Sequence, residues 1–73
     1  MNKIPIFEME SSNLKATGYD KATLTLRVQF KSSNVLYDYK GVSSELFNEF
    51  MQSESKGRFF FTRIKGKFEF EKN

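Results

Sequence analysis

The strongest constraint on the fold is a strict two-residue alternation in the middle of the chain. Leu24, Leu26, Val28 and Phe30 alternate with Thr25, Arg27, Gln29 and Lys31. Successive side chains of a strand point to opposite faces, so this pattern predicts a strand with one buried and one solvated face. After the turn-forming Lys31-Ser32-Ser33-Asn34 the pattern resumes. Val35, Tyr37 and Tyr39 fall on one face, Leu36, Asp38 and Lys40 on the other. A two- or four-residue loop pairs Phe30 with Val35, hence Val28 with Tyr37 and Leu26 with Tyr39. Directly opposed residues share a face, so both tyrosines belong to the core face, and a slip of one residue would reverse this. Upstream, Leu14, Ala16 and Gly18 alternate with Lys15, Thr17 and Tyr19. Asp20-Lys21-Ala22-Thr23 then supplies a turn, because Asp can bond backbone N–H groups ahead of it. Residues 13–40 therefore read as a three-stranded antiparallel meander. Residues 1–12, with Pro5 and Ser11-Ser12-Asn13, read as an irregular lead-in that lays Ile6 or Phe7 onto the core.

A helix is expected over 43–53. Gly41 ends the strand, Ser43 is placed as N-cap, and Glu45 suits the positive end of the helix dipole. Val42 and Phe47 occupy hydrophobic-staple positions. Leu46, Phe47, Phe50 and Met51 form an amphipathic stripe too short to be stable unless docked on the sheet. Residues 55–66 are ambiguous by periodicity. As a strand, Phe59 and Phe61 oppose Phe60, Thr62 and Ile64. As a helix capped by Ser55, Phe60, Ile64 and Phe68 share a face; Lys56, Arg63 and Lys67 border it on one side, Arg58 and Lys65 on the other. Lys67-Phe68-Glu69-Phe70-Glu71 alternates and could add a short strand. The expected class is α+β: a three-stranded meander packed by one amphipathic helix, then a short second helix or extended segment. At 73 residues this is a single domain with a single core.

Composition sets the rest. Nine Phe and three Tyr supply the large apolar side chains that a small domain without staples needs. There is no Cys and no His. Disulfides, thiolate metal sites and the usual general base are therefore absent, and no metal or cofactor is expected. No carboxylate pair has motif spacing, and neither a P-loop nor a dinucleotide fingerprint occurs, so a non-enzyme is expected. The longest apolar run, Phe59-Phe60-Phe61, is far short of the ~20 residues that span a bilayer. Met1-Asn2-Lys3-Ile4-Pro5 lacks the apolar region of a signal peptide. A cytoplasmic location without membrane contact is the default expectation.

The net charge of +3 is unevenly distributed. Lys56, Arg58, Arg63, Lys65 and Lys67 fall in a twelve-residue stretch without one acid, whereas the rest of the chain is slightly acidic. Such a stretch suits phosphates of RNA or another polyanion. It could equally be the solvated border of an amphipathic helix, its stems lying over the apolar stripe. Tyr37 and Tyr39 are stacking candidates for unpaired bases, but their expected core-face register weighs against that role. At least one of three successive phenylalanines must point away from the main core. Phe59 and Phe61 are accordingly candidates for a protein interface, by self-association or with an acidic partner. Gly57 could form an anion nest, although a tight turn between helices is the simpler reading.

In order along the chain stand Ser12-Asn13-Leu14, Gly18-Tyr19-Asp20, Tyr37-Asp38-Tyr39, a short helix, Ser55-Lys56-Gly57-Arg58-Phe59-Phe60, and Ile64-Lys65. This series resembles the KTSC domain, named for its place at the C-terminus of some lysyl-tRNA synthetases and found also as a stand-alone protein of bacteria and their phages. The resemblance covers about residues 9–68. The family usually has Asn where this chain has Phe61, and often Pro where it has Ser43. The family has no established activity. The resemblance implies a fold, favours the helical reading of 55–65, and through the synthetase linkage suggests RNA. The leading expectation is a non-catalytic RNA-binding module; the alternative is a protein-interaction or inhibitor module, phage-encoded or homo-oligomeric.

Overall fold

The computed structural model describes residues 4, 6–8, 13–33 and 35–72. Five strands form one antiparallel sheet in sequence order: β1 Phe7–Glu8, β2 Leu14–Asp20, β3 Thr25–Phe30, β4 Leu36–Lys40 and β5 Phe70–Lys72. Two helical segments lie between β4 and β5: α1 Ser44–Gln52, and α2 Lys56–Phe59, which continues as a π-helical turn over Phe60–Ile64. The architecture is α+β as expected, but the sheet has five strands where three were anticipated. The two additional strands are its edges. Both are short: β5 falls at the end of the alternating 67–71 segment that the sequence offered as a possible strand, β1 has no such pattern, and each forms by pairing with a stronger neighbour.

The β3–β4 register is the one derived from the alternation, with Val28 opposite Tyr37 and Leu26 opposite Tyr39. Leu26, Val28 and Tyr39 enter the core together with Leu14, Val42, Phe50, Phe60 and Ile64. The first hairpin departs from simple alternation. Leu14 pairs with Phe30 but Ala16 pairs with Gln29, so Lys15 is an extra residue that shifts the register by one. This bulge exchanges the faces of the strand. Leu14, Thr17 and Tyr19 share the core face, and Ala16 and Gly18 lie on the other. β3 also begins one residue late. Leu24 sits in the turn with φ at +55° and is exposed rather than facing the core with Leu26. That backbone region is costly for a bulky residue. It is held on one side by Asp20, whose carboxylate accepts from Ala22 N and Thr23 Oγ1, both at 3.0 Å. On the other side Val42 N donates to Leu24 O at 2.9 Å.

The lead-in differs too. Ile4 is buried and Ile6 half-buried, but Phe7 is 70% exposed on edge strand β1. Residues 9–12 of the expected lead-in and Asn34 of the second turn lie outside the described residues.

Ser43 caps α1, its hydroxyl accepting from Leu46 N at 3.1 Å, and the helix ends against Ser53. Phe50 is fully buried, Leu46, Phe47 and Met51 pack around it, and Phe47 stacks on Tyr19 with centroids 4.5 Å apart. The Tyr19 hydroxyl donates to Val42 O, fastening β2 to the helix lead-in. Residues 55–64 are helical, resolving the ambiguity of the sequence. Ser55 caps α2 through Arg58 N, and Gly57 is a buried residue within the helix rather than a nest or a turn. The π-turn is closed by Lys65 N donating to Phe60 O at 2.8 Å, and it places both Phe60 and Ile64 in the core. On the opposite face of the sheet, Arg27 and the directly opposed Asp38 form a two-pronged ion pair, at 2.7 and 2.8 Å. No described helix is long and apolar enough to cross a membrane.

Candidate functional site

The twelve-residue basic stretch does not form one patch, because the helical segment distributes its side chains between two flanks. On the flank facing α1, Phe59 stacks on Phe50 with centroids 5.7 Å apart. The guanidinium of Arg63 lies 5.2 Å from the Phe59 centroid and pairs with Glu49 at 3.3 Å. Lys56 turns back to donate to Ser53 O at 3.1 Å. Arg58 borders an open hollow with Ser53, Glu54, Ser55 and Thr62. The hydroxyls there are already committed: Ser53 donates to Phe50 O, Ser55 accepts from Arg58 N, and Thr62 donates to Arg58 O.

The other flank faces the sheet edge and is built differently. Phe61 is 42% exposed, stacked on Phe30 at 6.3 Å, and Lys65 Nζ lies 5.0 Å from the Phe61 centroid. Beyond Lys65, Gly66 takes φ at +81°, a conformation that favours glycine and turns the chain back toward the sheet. The chain then runs through Lys67, which is exposed, into β5. Lys40 N donates to Glu69 O at 2.8 Å, and β5 pairs with β4 so that Phe70 opposes Tyr39 and Lys72 opposes Tyr37.

Between this flank and the β4–β5 edge lies a cleft of about 370 Å³ lined by Phe30, Tyr37, Tyr39, Lys65, Gly66 and Phe70. Four of the six are aromatic. Tyr37 meets Phe70 at 5.7 Å and Phe30 at 5.3 Å, and Tyr39 meets Phe70 at 5.2 Å. Two ammonium groups flank it: Lys65 from the helical side, and Lys72, whose Nζ lies 5.9 Å from the Tyr37 centroid. Neither of the two has a carboxylate partner among the described residues. Lys40, by contrast, pairs with Glu71 on the opposite face of the sheet, and that carboxylate raises the Lys40 pKa.

The site therefore joins Tyr37, Tyr39, Phe61 and Lys65, which the sequence nominated separately. It separates them from Phe59, Arg63, Lys56 and Arg58. Tyr37 and Tyr39 do lie on the core face, as their register requires, but that face is not wholly covered at the sheet edge. The sequence reading missed Phe30, Gly66, Phe70 and Lys72 as parts of a site. A signal was present: β4 carries two aromatics on its core face, and the alternating 67–71 segment supplies a strand able to cover them only in part.

Tyr39 is the most constrained member. It is 2% exposed, and its ring is held edge-on to Phe60 at 5.2 Å. Burial, and secondarily the neighbouring Tyr37, push its pKa above the usual tyrosine value, which keeps the hydroxyl protonated. Among the described residues no three metal-ligating side chains come together.

The KTSC domain model matches residues 10–68. A lysine–tRNA ligase of Nostoc punctiforme is 37% identical over 67 residues, which cover 92% of this chain and 12% of the ligase. The chain thus corresponds to about one eighth of the ligase's length. An uncharacterized protein of Stutzerimonas stutzeri is 38% identical over 52 residues, 71% of this chain and 72% of that protein. The crystal structure of a KTSC domain protein from Yersinia pestis superposes with a TM-score of 0.91 at 37% identity, covering 97% of this chain and 99% of that one. The family match over most of the chain and this superposition place the protein in the KTSC domain family.

Proposed function

We propose that this chain is a non-catalytic module that binds single-stranded nucleic acid, RNA foremost, at the cleft between β4, β5 and the π-turn. The observation that carries the reading is the combination of four aromatic walls with two flanking lysines that have no carboxylate partner among the described residues. Aromatic faces stack on unpaired bases of any sequence, and ammonium groups beside them meet the phosphates. Lys65, Lys67 and Lys72 supply those charges, Tyr37 and Phe70 the stacking surfaces. Arg58 adds long-range attraction, whereas Lys56 and Arg63 are committed within the fold. Lysine–tRNA ligases carry a related segment and are named for a tRNA substrate, which agrees with RNA as the ligand class.

Fluorescence anisotropy with labelled single-stranded 12-mers tests this. Binding is expected at ~50 mM salt and should weaken steeply toward ~200 mM as released counterions are returned. Absence of binding at the lower salt rejects the proposal.

A protein-interaction reading draws on the exposed Phe61 and Phe70 beside the lysines, a surface suited to an acidic partner or a second copy. Phe59 packs on Phe50 beneath Arg63, on the other flank, so this reading centres on Phe61 rather than on Phe59. A dimer mass by sedimentation equilibrium that reverts to monomer in Phe61→Ser would favour this reading over the first.

A further inference from the structure

The nucleic-acid reading uses side chains alone; the main chain of the edge strand β5 carries an inference that goes beyond it. β5 pairs with β4 on one side, and among the described residues no strand lies on its other side. Which of its main-chain groups point outward follows from one hydrogen bond. Lys40 N donates to Glu69 O at 2.8 Å. Glu69 stands directly opposite Lys40 when the pairing of Tyr39 with Phe70 is extended by one residue. Lys40 and Glu69 are thus a hydrogen-bonded pair. In an antiparallel ladder such pairs alternate with pairs whose main-chain groups point away from each other. Glu71 is then bonded to Asp38, while Phe70 and Lys72 turn their N–H and C=O groups outward. No described residue pairs with those outward groups.

The side chains of the same two residues face the cleft: Phe70 lies against Tyr37 and Tyr39, and Lys72 over the ring of Tyr37. Directly opposed residues of neighbouring strands share a face. An extended chain laid along β5 therefore sets alternate side chains beside Phe70 and Lys72, at the rim of the cleft, while its main chain meets the outward groups. Phe70 is 51% exposed, and neither Lys72 nor Lys65 has a carboxylate partner among the described residues. An apolar side chain and a carboxylate complement them. On the other face Glu71 is neutralised by Lys40, so the intervening residue is unconstrained. A nucleic acid can meet these side chains but has no donors and acceptors at strand spacing. A second copy of this chain fits less well. β5 paired antiparallel with itself about Phe70 sets Glu69 against Glu71, and about Glu71 it sets that residue against its own copy; like charges directly opposite are destabilising. We infer that β5 takes an extended acidic peptide of another protein as a sixth strand, with a carboxylate beside Lys72 and an apolar side chain, two residues on, beside Phe70. Main-chain bonds supply the affinity, and those two side chains the specificity.

The probe is the pentapeptide acetyl-Thr-Glu-Thr-Val-Thr-amide, which running antiparallel to β5 puts its Glu opposite Lys72 and its Val opposite Phe70. It is titrated to millimolar concentration into the isotope-labelled full chain, read by amide NMR. The amides of Phe70 and Lys72 should shift and exchange more slowly; that of Glu71, already bonded to β4, should change least. N-methylation of the peptide's Glu or Val amide, which faces β5, should weaken binding about tenfold, whereas N-methylation of the central Thr, which faces away, should weaken it less than about twofold. Replacing the peptide's Glu by Lys should cost about threefold, and Lys72→Glu should reverse that preference. No change at the Phe70 and Lys72 amides, or equal losses from both kinds of N-methylation, overturns the inference. So does slowed exchange of these amides in the protein alone that grows with its concentration, which assigns the edge to a second copy. So, too, does slowing by a uridine hexamer and not by the peptide, which assigns the edge to nucleic acid. Failure of the peptide to bind leaves the nucleic-acid reading standing, and absence of RNA binding by anisotropy leaves this one standing.

Discussion

On the α1 side of the C-terminal helical segment, an aromatic and a cation close on each other. Phe59 lies against Phe50, Arg63 covers Phe59, and Glu49 neutralises Arg63. On the sheet side a similar pair, Phe61 and Lys65, has no such acid among the described residues and stands beside a cleft of further aromatics. Residue types are shared between the two flanks, and neighbours decide what they do. Packed against α1, the segment finds partners for its border residues in Glu49 and Phe50. A helix packed beside the sheet meets the aromatic rings of β3 and β4, and the short strand β5 that borders them leaves Phe70 51% exposed. A cluster of basic residues in sequence is thus a poor guide to a charged surface until the partners of each are known.

The most severe way to break the comparison is to remove the residue both flanks share. Phe60 is fully buried between them, touching Phe30, Tyr39 and Phe61. Phe60→Ala should cost about 3–5 kcal/mol in urea unfolding, enough to threaten a domain of this size.

A selective disruption is Phe70→Ala. If the open flank binds bases, this should cost about 1–3 kcal/mol in affinity for single-stranded RNA. Because Phe70 is half exposed, stability should change by less than about 1 kcal/mol, read from the same unfolding experiment.

Lys65→Ala and Arg63→Ala compare the flanks charge for charge. Lys65→Ala should reduce the slope of log affinity against log salt by about 0.7, the value for one phosphate contact on a single strand. Arg63→Ala should leave that slope nearly unchanged, since its guanidinium is held by Glu49 and Phe59. Equal effects of the two substitutions would erase the distinction between flanks.

The smallest expected effect separates the two tyrosines with raised pKa values. Burial dominates in both, assisted by Asp20 for Tyr19 and by Tyr37 for Tyr39. A folded-state pKa above the unfolded value near 10 means the folded state holds its phenol protons more tightly. That contribution is complete below about pH 10 and lost as pH rises through the folded values. Melting temperature should therefore fall above pH 10, and less so in Tyr39→Phe. At pH 7, Tyr39→Phe should be within about 0.5 kcal/mol of wild type, since its hydroxyl has no hydrogen bond to lose among the described residues. Tyr19→Phe should cost about 1 kcal/mol through its bond to Val42 O.

What the sequence by itself determined were the features that depend on near neighbours. Alternation and loop length fixed the β3–β4 register and with it the facing of Tyr37 and Tyr39. Ser43 and Ser55 marked helix starts because capping is a contact three residues long. The stripe around Phe50 announced a helix that must dock. The family, too, was legible, from the order of short motifs that are weak singly. Tertiary structure alone decided the rest. The extra residue at Lys15 changes no local pattern, yet it exchanges the faces of β2, because pairing with β3 sets where the register slips. Strands β1 and β5 are too short to form without a partner strand. The cleft required Phe30, Tyr39, Lys65 and Phe70 to meet from four separate elements. No periodicity encodes such a meeting, since side chains distant in sequence are brought together only when the core they share is packed.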